Sequence, residues 1–348
     1  MAEDPRAWIQ GDENAKEMLS RVLSERPFVL LPPLHRVPLR VGNVVEISGP
    51  SNSAKTQVLL QAVVHCILPK EWKGIHFGGL EKMVMYFDLD CRFDVLRLSQ
   101  ILRHRIMETC GSVHDTYWGT NEGPGQKDIK VARDHPFDDE LLLACMRRFL
   151  YNRCYSSSEF LAALKKMRWL SQRESEALGV GIHFLMIDSI GALYWMDRLC
   201  QSMSVSENTS SRSSYRKNIS LQSLSEIMVE EIRKFLQLQP VLVLATKPPV
   251  FGAGPSTSDL CRIAGKWVEQ TDFRTPNREA EKKISFREYM PSVWQSFVTH
   301  RVYLQASEGH TSNREKESYS IYTSAWMQPP LSLKDKFSVR DDGIFLIT

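Results

Sequence analysis

The sequence predicts an α/β fold whose central sheet is mainly parallel, with helices on both faces and antiparallel strands at the C-terminal side. From Val41 onwards, short apolar runs that are typical of buried strands alternate with segments whose apolar residues recur at helical spacing. A stretch with the spacing of a phosphate-binding loop lies between the first such strand and the first such helix. The last strand-like segments follow one another without helices between them, which favours an antiparallel extension of the same sheet.

The strand and helix patterns are justified in chain order by apolar spacing and by turn residues. Strands are predicted at Val44–Ser48, Met83–Leu89, Phe149–Cys154, Ile182–Ile187, Val241–Ala245, Phe297–Leu304, Ser318–Ser324 and Phe337–Thr348. Helices are predicted at Asn14–Leu23, Gln57–Leu68, around Val95–Ile106, at residues 138–147, from Glu159 through Leu170, and around Leu221–Phe235. The serines before Glu159 are candidate caps for the helix that starts there. Asp342-Gly343 predicts a hairpin within the last strand segment.

The domain organisation predicted from these patterns is one core preceded by a short leader. Residues 1–40 form the leader, and residues 41–348 form the phosphate-loop core. Three polar segments without periodicity, at residues 111–136, 200–218 and 248–290, are interpreted as loop insertions in that core.

Composition excludes several classes of protein. Hydrophobic residues make up 43% and charged residues 24% of the chain, so a core of ordinary size can be buried. A formal charge of +3 excludes a polycation, and any contact with nucleic acid has to come from local basic patches. The seven cysteines form no Cys-x-x-Cys pair, which argues against a disulfide framework or a zinc ribbon and fits a reducing compartment. No segment predicts a secretory signal or a membrane span.

The candidate phosphate loop nearly matches the pattern G-x-x-x-x-G-K-[ST]. Its residues are Gly49, Pro50, Ser51, Asn52, Ser53, Ala54, Lys55 and Thr56. Such a loop turns backbone N–H groups towards phosphates at a helix N-terminus, so ATP is the expected ligand. Lys55 would reach the terminal phosphates, and the Thr56 hydroxyl would ligate Mg²⁺. Ala54 stands where glycine belongs, and the alternative is a structural turn that keeps this shape without nucleotide.

Two acidic sites follow predicted strands. Asp188 ends the apolar strand at Ile182–Ile187, where a carboxylate can hold the water shell of the Mg²⁺ ion. Asp88 and Asp90 follow the second strand, and an acid at this place can orient a water for attack on the terminal phosphate. The alternative for Asp88 and Asp90 is a pair of solvated loop carboxylates.

Five stretches together resemble the RecA-like recombinases, and within them a plant-type recombinase paralogue. The stretches are LRVGNVVEISGPSNSAKTQ, GGLEKMVMYFDLDCRFDVLRLSQIL, LMIDSIGALYWMDR, WQSFVTHRVYL and FSVRDDGI. The resemblance covers about residues 28–348 and implies a nuclear protein of double-strand-break repair and meiotic recombination. It further implies a heteromeric complex of recombinase paralogues that assists the main recombinase on single-stranded or branched DNA, without any membrane.

The resemblance also implies roles for single residues and shows where the chain departs from the family pattern. Asp90 occupies the position of the family's catalytic glutamate, one methylene shorter, so ATP hydrolysis is expected to be weak at most. Where the family often has a polar pair with glutamine that senses the terminal phosphate, this chain has Thr246-Lys247. Lys247 would either neutralise phosphate charge or lie in solvent.

The loops after Asp188 and after Lys247 occupy the family's DNA-facing positions. The candidate DNA-binding residues are Arg212, Arg216, Lys217, Lys266, Arg278, Lys282 and Lys283. Basic groups contact the phosphate backbone, and interleaved aromatic residues can stack on bases. Acidic residues in the second loop keep its net charge small, so a solvated loop without DNA contact is the alternative.

The length and the single phenylalanine of the leader indicate how the chain assembles with other subunits. Its residues are too few for the N-terminal DNA-binding domain of full recombinases, and its only phenylalanine, Phe28, lacks the family's small residue three positions on. We therefore expect Phe28 to pack on its own core and the chain to form no homopolymeric filament. A working DNA-dependent ATPase of the same fold remains an alternative, and a small-molecule phosphotransferase is a second one, although the mixed-charge loop at 248–290 argues against it.

Overall fold

The structure is a computed structural model that describes residues 27–117, 136–179, 181–199, 220–248, 250–251, 286–307, 320–340 and 343–347. The predicted leader helix at Asn14–Leu23 lies outside the described residues, as do the whole of the insertion at 200–218 and most of the insertions at 111–136 and 248–290. Within the described ranges, no helix is long and apolar enough to cross a membrane.

The described elements follow the alternation that the sequence predicts. The strands are β1 (Val44–Ser48), β2 (Glu71–Trp72), β3 (Ile75–His76), β4 (Met83–Asp88), β5 (Phe149–Arg153), β6 (Ile182–Asp188), β7 (Leu242–Lys247), β8 (Val250–Phe251), β9 (Phe286–Arg287), β10 (His300–Ala306), β11 (Ile321–Gln328), β12 (Lys334–Val339) and β13 (Ile344–Ile347). The helices are α1 (Lys55–Ile67), α2 (Val95–Tyr117), α3 (Pro136–Met146), α4 (Ser157–Leu178), α5 (Leu221–Leu238) and α6 (Ser292–Phe297).

Nine of these strands form one sheet in the order β13-β12-β11-β10-β1-β7-β6-β4-β5. The six strands from β10 to β5 in this order pair in parallel, and β10, β11, β12 and β13 pair antiparallel. The predicted fold class, a RecA-like core with an antiparallel C-terminal extension, is therefore confirmed. Because β1 lies between β7 and β10, the loop that follows it emerges at the middle of the sheet.

Apolar side chains fill both faces of the sheet, as expected for parallel strands that helices cover on each side. The first cluster joins α1, α2 and α3 to alternate strand residues such as Val45, Ile47 and Tyr86. The second cluster joins α4, α5 and α6 to residues of the opposite register, such as Val44 and Ile187. Successive residues of a strand thus point to opposite faces of the sheet and pack into different clusters.

Several element boundaries differ from the sequence prediction, and the predicted hairpin near the C-terminal end is present. Helix α2 continues to Tyr117, although residues 111–117 show no apolar stripe that would reveal it. Phe297 was expected to begin a strand, but it ends α6, in which it and Trp294 are both buried. The segment Phe337–Thr348 contains parts of two strands, and the predicted turn is closed by a 2.8 Å hydrogen bond from Arg340 N–H to the Gly343 carbonyl.

The described part of the leader packs against the core. Phe28 N–H donates to the Leu39 carbonyl at 2.8 Å, and the Phe28 ring lies 4.7 Å from that of Phe184, centroid to centroid. Leu30 and Leu34 are buried in the first cluster. The prediction that Phe28 packs on its own core is therefore confirmed.

Candidate functional site

The phosphate loop connects β1 to α1 at the carboxyl end of the central strands. A β-carbon at Gly49 would lie 2.2 Å from the carbonyl oxygen of Leu304 and 2.5 Å from Ser53 Oγ, so the loop rests on β10 and only glycine fits there. Ser53 is buried, and its N–H and Oγ donate to the Pro50 carbonyl at 3.2 and 2.8 Å. The packing of Gly49 on Leu304 and the hydrogen bonds of Ser53 therefore hold the turn of the loop in place.

Ala54 precedes α1 in the left-handed conformation. Its φ of 62° and ψ of 18° belong to a region that costs a residue with a β-carbon about 1–2 kcal/mol. The sequence predicted that this position needs torsions that glycine adopts easily, and the backbone here has such torsions. The first turn of α1 begins at the next residue, and its N–H groups have no acceptor four residues back, as in any helix.

Lys55 folds back into the loop. Its ammonium donates to the carbonyls of Gly49 and Pro50 at 2.7 and 2.5 Å, and to Ser53 Oγ at 3.3 Å. Burial lowers the pKa of Lys55 to about 8, although the charges of Asp188 and Asp90 act in the opposite direction. A phosphate would offer this cation a full negative charge in place of carbonyl dipoles. Lys55 is therefore a buried cation at the position where the sequence predicts contact with the terminal phosphates.

Asp188 ends β6 and is 4% exposed. The Tyr86 hydroxyl donates to Asp188 Oδ2 at 2.9 Å, and the Thr246 hydroxyl donates to Oδ1. The order β7-β6-β4 brings these three residues side by side. The structure thus places Asp188 within electrostatic range of Lys55, as the sequence led us to expect. Thr56 lies half-buried in the first turn of α1.

Asp88 and Asp90 occupy different environments. Asp88 is 1% exposed and accepts hydrogen bonds from the Tyr151 hydroxyl at 2.8 Å and from the N–H groups of Phe93 and Arg92 at 3.1 and 3.2 Å. Its interpretation as a solvated loop carboxylate is therefore wrong, because it anchors the chain after β4.

Asp90 is exposed and accepts from the Ser189 hydroxyl at 3.2 Å. Partial burial and the nearby charge of Asp188 raise the pKa of Asp90. The structure brings Asp90, Asp188 and Lys55 into electrostatic contact at the carboxyl end of the parallel strands, where the phosphate loop begins.

Lys247 is not in solvent, contrary to one of the two sequence alternatives. Its ammonium lies 2.9 Å from Glu46 Oε1 and 2.7 Å from Glu288 Oε2, and its side chain is 8% exposed. Sequence reasoning missed Glu46 and Glu288. The signal was present in β1, because a glutamate within the apolar run VVEIS has to find a partner when it is buried.

The seven candidate DNA-binding residues, from Arg212 to Lys283, lie outside the described residues, so the structure does not place them. It does describe where their loops begin and return. A helical turn at 194–199 precedes the first loop, and Arg198 lies over the half-exposed Trp195 ring at 5.6 Å. Among the described residues, no group of three or more His, Cys, Asp or Glu side chains forms a metal site.

Comparison with known proteins identifies the family to which the chain belongs. No protein family model matches the chain. It is 45% identical over 344 residues to the DNA repair protein XRCC2 homolog of Arabidopsis thaliana, which covers 97% of the chain and 89% of that relative. It is 24% identical over 341 residues to the DNA repair protein XRCC2 of Mus musculus, which covers 97% of the chain and 94% of that protein. Identity at this level over nearly the whole length shows that the chain belongs to the XRCC2 family of DNA repair proteins.

Proposed function

We propose that the chain is an accessory subunit of a nuclear complex of recombinase paralogues, which assists the main recombinase on single-stranded or branched DNA. The processes would be homologous-recombination repair of double-strand breaks and meiotic recombination. Membership in the XRCC2 family supports the repair role. The observation that supports the accessory role is Ala54. It stands where the loop pattern has glycine, and its left-handed backbone is strained.

ATP and Mg²⁺ belong to the proposal as ligands of the loop. The backbone from Gly49 to Thr56 and the Lys55 ammonium would hold the phosphates, and Thr56 and Asp188 would hold the metal and its waters. The bound metal would neutralise phosphate charge. Asp90 is one methylene shorter than glutamate, which shortens the reach of a water-positioning carboxylate by about 1.5 Å. Slow turnover follows from that shorter reach.

The sheet also supports a role in an assembly. Strands β5 and β13 are its two edges within the described ranges, and each has a neighbour on one side only. Phe345 and Leu346 on β13 are 38% and 41% exposed. Edge strands of this kind can pair with a strand of another chain. We therefore expect the paralogue partners to contact at least one of these edges.

A working DNA-dependent ATPase is the second candidate. The observation in its favour is that Lys55, Asp188 and Asp90 interact electrostatically at one edge of the sheet. This candidate needs the Lys55 cation for repair, whereas an architectural subunit does not.

Cells that lack the protein separate the two candidates. Wild type, Lys55→Ala and Lys234→Ala, a surface control, would be expressed at equal levels and scored with a double-strand-break repair reporter. We expect all three to restore repair and to copurify from nuclei with the same paralogues. Loss of repair by a folded, partner-bound Lys55→Ala protein would instead establish the ATPase function. Copurification without any recombinase paralogue would contradict the proposal as a whole.

A further inference from the structure

Lys247 stands at the centre of a buried ion network on one face of the sheet. Glu46 in β1 is 1% exposed. Its Oε1 lies 2.9 Å from the Lys247 ammonium and 3.6 Å from the Arg301 guanidinium. Its other oxygen, Oε2, accepts from Trp294 Nε1 at 2.8 Å. Together with Glu288, which pairs with Lys247 at 2.7 Å, two carboxylates balance two cations. The network therefore satisfies its own charge without an external ion.

Glu288 connects this network to the chain that returns from the second DNA-facing loop. Its Oε2 pairs with Lys247, and its Oε1 accepts from the backbone N–H groups of Tyr289 and Met290, each at 3.0 Å. Because one carboxylate binds both the end of β7 and the returning backbone, the two ends of the loop are held together at its root.

Tyr289 extends the connection to the first DNA-facing loop. Its hydroxyl donates to the Pro248 carbonyl at 3.0 Å, and its ring lies 4.9 Å from that of Tyr194, centroid to centroid. A β-carbon at Gly191 would lie 1.9 Å from the Tyr289 hydroxyl oxygen, so the chain after β6 packs directly on this tyrosine. The roots of both loops thus form one packed unit.

The network lies on the opposite face of the sheet from the phosphate loop helix. Trp294, which contacts Glu46, belongs to the cluster formed with α4, α5 and α6, whereas α1 belongs to the other cluster. A phosphate at Lys55 that drew on the Lys247 ammonium would have to displace it from its ion pairs with Glu46 and Glu288. Breaking a buried pair leaves an uncompensated charge, which is strongly unfavourable.

We propose that Glu46, Lys247 and Glu288 form a loop-root anchor, which fixes the roots of both DNA-facing loops to β1 whether or not nucleotide is bound. These three residues are positioning residues that act through the backbone at 286–291 and at 189–194. The inference rests on the proposed function in so far as these loops contact DNA. It goes beyond that function because it states that an internal ion network holds the roots of both DNA-facing loops in place before any ligand binds.

Hydrogen exchange in the purified native complex tests the anchor directly. Peptides that cover residues 191–196 and 286–294, which exclude the proposed metal ligand Asp188, would be followed with and without ATP and Mg²⁺. We expect no nucleotide-dependent change in the wild type, because the anchor is complete without ligand. Glu288→Ala should raise exchange at 286–291 by at least about tenfold, since both ion pair and backbone acceptor are lost. Lys247→Met is a second variant, which removes the ion pairs but keeps the backbone acceptor, so it should raise exchange at 286–291 by a smaller factor.

Two controls separate the anchor from general loss of stability. Trp294→Phe removes the hydrogen bond to Glu46 but leaves both ion pairs of Lys247, so it should leave exchange at 286–291 near the wild-type rate. Lys234→Met removes the ion pairs of Lys234 with Glu230 and Glu231 on α5 and should change exchange in neither peptide. Protection of the wild-type peptides by nucleotide would overturn the proposal, as would equal exchange in Trp294→Phe and Glu288→Ala.

The DNA measurement distinguishes this inference from the proposed function. Glu288→Ala should weaken binding of single-stranded DNA by the complex without altering its salt dependence, because no phosphate contact is removed. If the exchange results are as expected but the complex binds no DNA, the anchor is supported and the DNA-facing role is refuted. DNA binding together with nucleotide-dependent exchange at both loop roots would refute the anchor and leave the DNA-facing role in place.

Discussion

The ammonium nitrogen of Lys55 lies 2.7 Å from the carbonyl oxygen of Gly49, inside the loop that would receive a phosphate. A carbonyl dipole compensates a buried cation less fully than an anion does, and burial accordingly lowers the pKa of Lys55 to about 8. The charge of this residue therefore depends on pH close to the physiological range.

Nucleotide affinity should fall as pH rises through about 8. Bound phosphates would place negative charge beside Lys55 and raise its pKa, so binding above pH 8 takes up a proton. The affinity should then decrease about tenfold per pH unit until the pKa of the bound state is reached. Titration calorimetry in buffers of different ionisation enthalpy measures both affinity and proton uptake. Lys55→Arg, which keeps its proton at all these pH values, should show a flat profile, and a flat wild-type profile would contradict the prediction.

Ala54→Gly should raise nucleotide affinity. The substitution removes a methyl group from a backbone at φ 62°, where glycine is unstrained. The free energy of unfolding should change by less than about 1 kcal/mol, because relief of strain is offset by the greater freedom of glycine in the unfolded chain. Equilibrium binding of a fluorescent ATP analogue and denaturant unfolding measure the two effects. Ala62→Gly within α1 is a control that should destabilise without raising affinity, and unchanged affinity in Ala54→Gly would show that the methyl group is not the obstacle.

Reversing the charges of Arg212, Arg216 and Lys217 together should weaken binding of single-stranded DNA by the complex. Each lost phosphate contact should reduce the slope of log affinity against log salt by about 0.7. Fluorescence anisotropy at several salt concentrations measures the slope. A matched reversal of Lys165, Lys166 and Arg168, on the exposed face of α4, should leave it unchanged. If the first variant also keeps the wild-type slope, the loop after β6 does not contact DNA.

The chain should form no homopolymeric filament on single-stranded DNA, because Phe28 is occupied by its own core. Its ring packs on Phe184, and it is not free to dock on a neighbouring copy. Sedimentation velocity should show no long assemblies of the purified chain with DNA. Phe28→Ala should lower the free energy of unfolding by about 2 kcal/mol and leave the sedimentation coefficient unchanged. Long homopolymers of the wild type would refute this prediction.

The central part of the site could be predicted because local rules dictate it. A strand, a loop of fixed spacing and a helix predict the position of Lys55, and an apolar strand that ends in an acid predicts Asp188. The left-handed backbone of Ala54 follows from the same pattern. These features depend on residues that are close in sequence or on the order of parallel strands.

Contacts between distant residues could not be predicted. Tyr86 and Tyr151 have the apolar character of buried strands, and nothing in their spacing shows that their hydroxyls donate to Asp188 and Asp88. The pairing of Lys247 with Glu46 and Glu288 requires knowledge that β7 lies beside β1 and that the chain returns over both. Sequence patterns carry the periodicity of each strand but not its neighbours.

The position of β1 between β7 and β10 has a consequence for the growing polypeptide. Val44 pairs with Val243, and Val45 pairs with His300, so β1 leaves the ribosome long before either neighbouring strand is made. At a synthesis rate of about 5–20 residues per second, roughly ten to fifty seconds pass before both partners exist. During that time an apolar strand with two open edges is exposed to other nascent chains. The carboxylate of Glu46, unpaired until Lys247 and Arg301 have emerged, would keep the segment hydrated and act as a gatekeeper against premature aggregation.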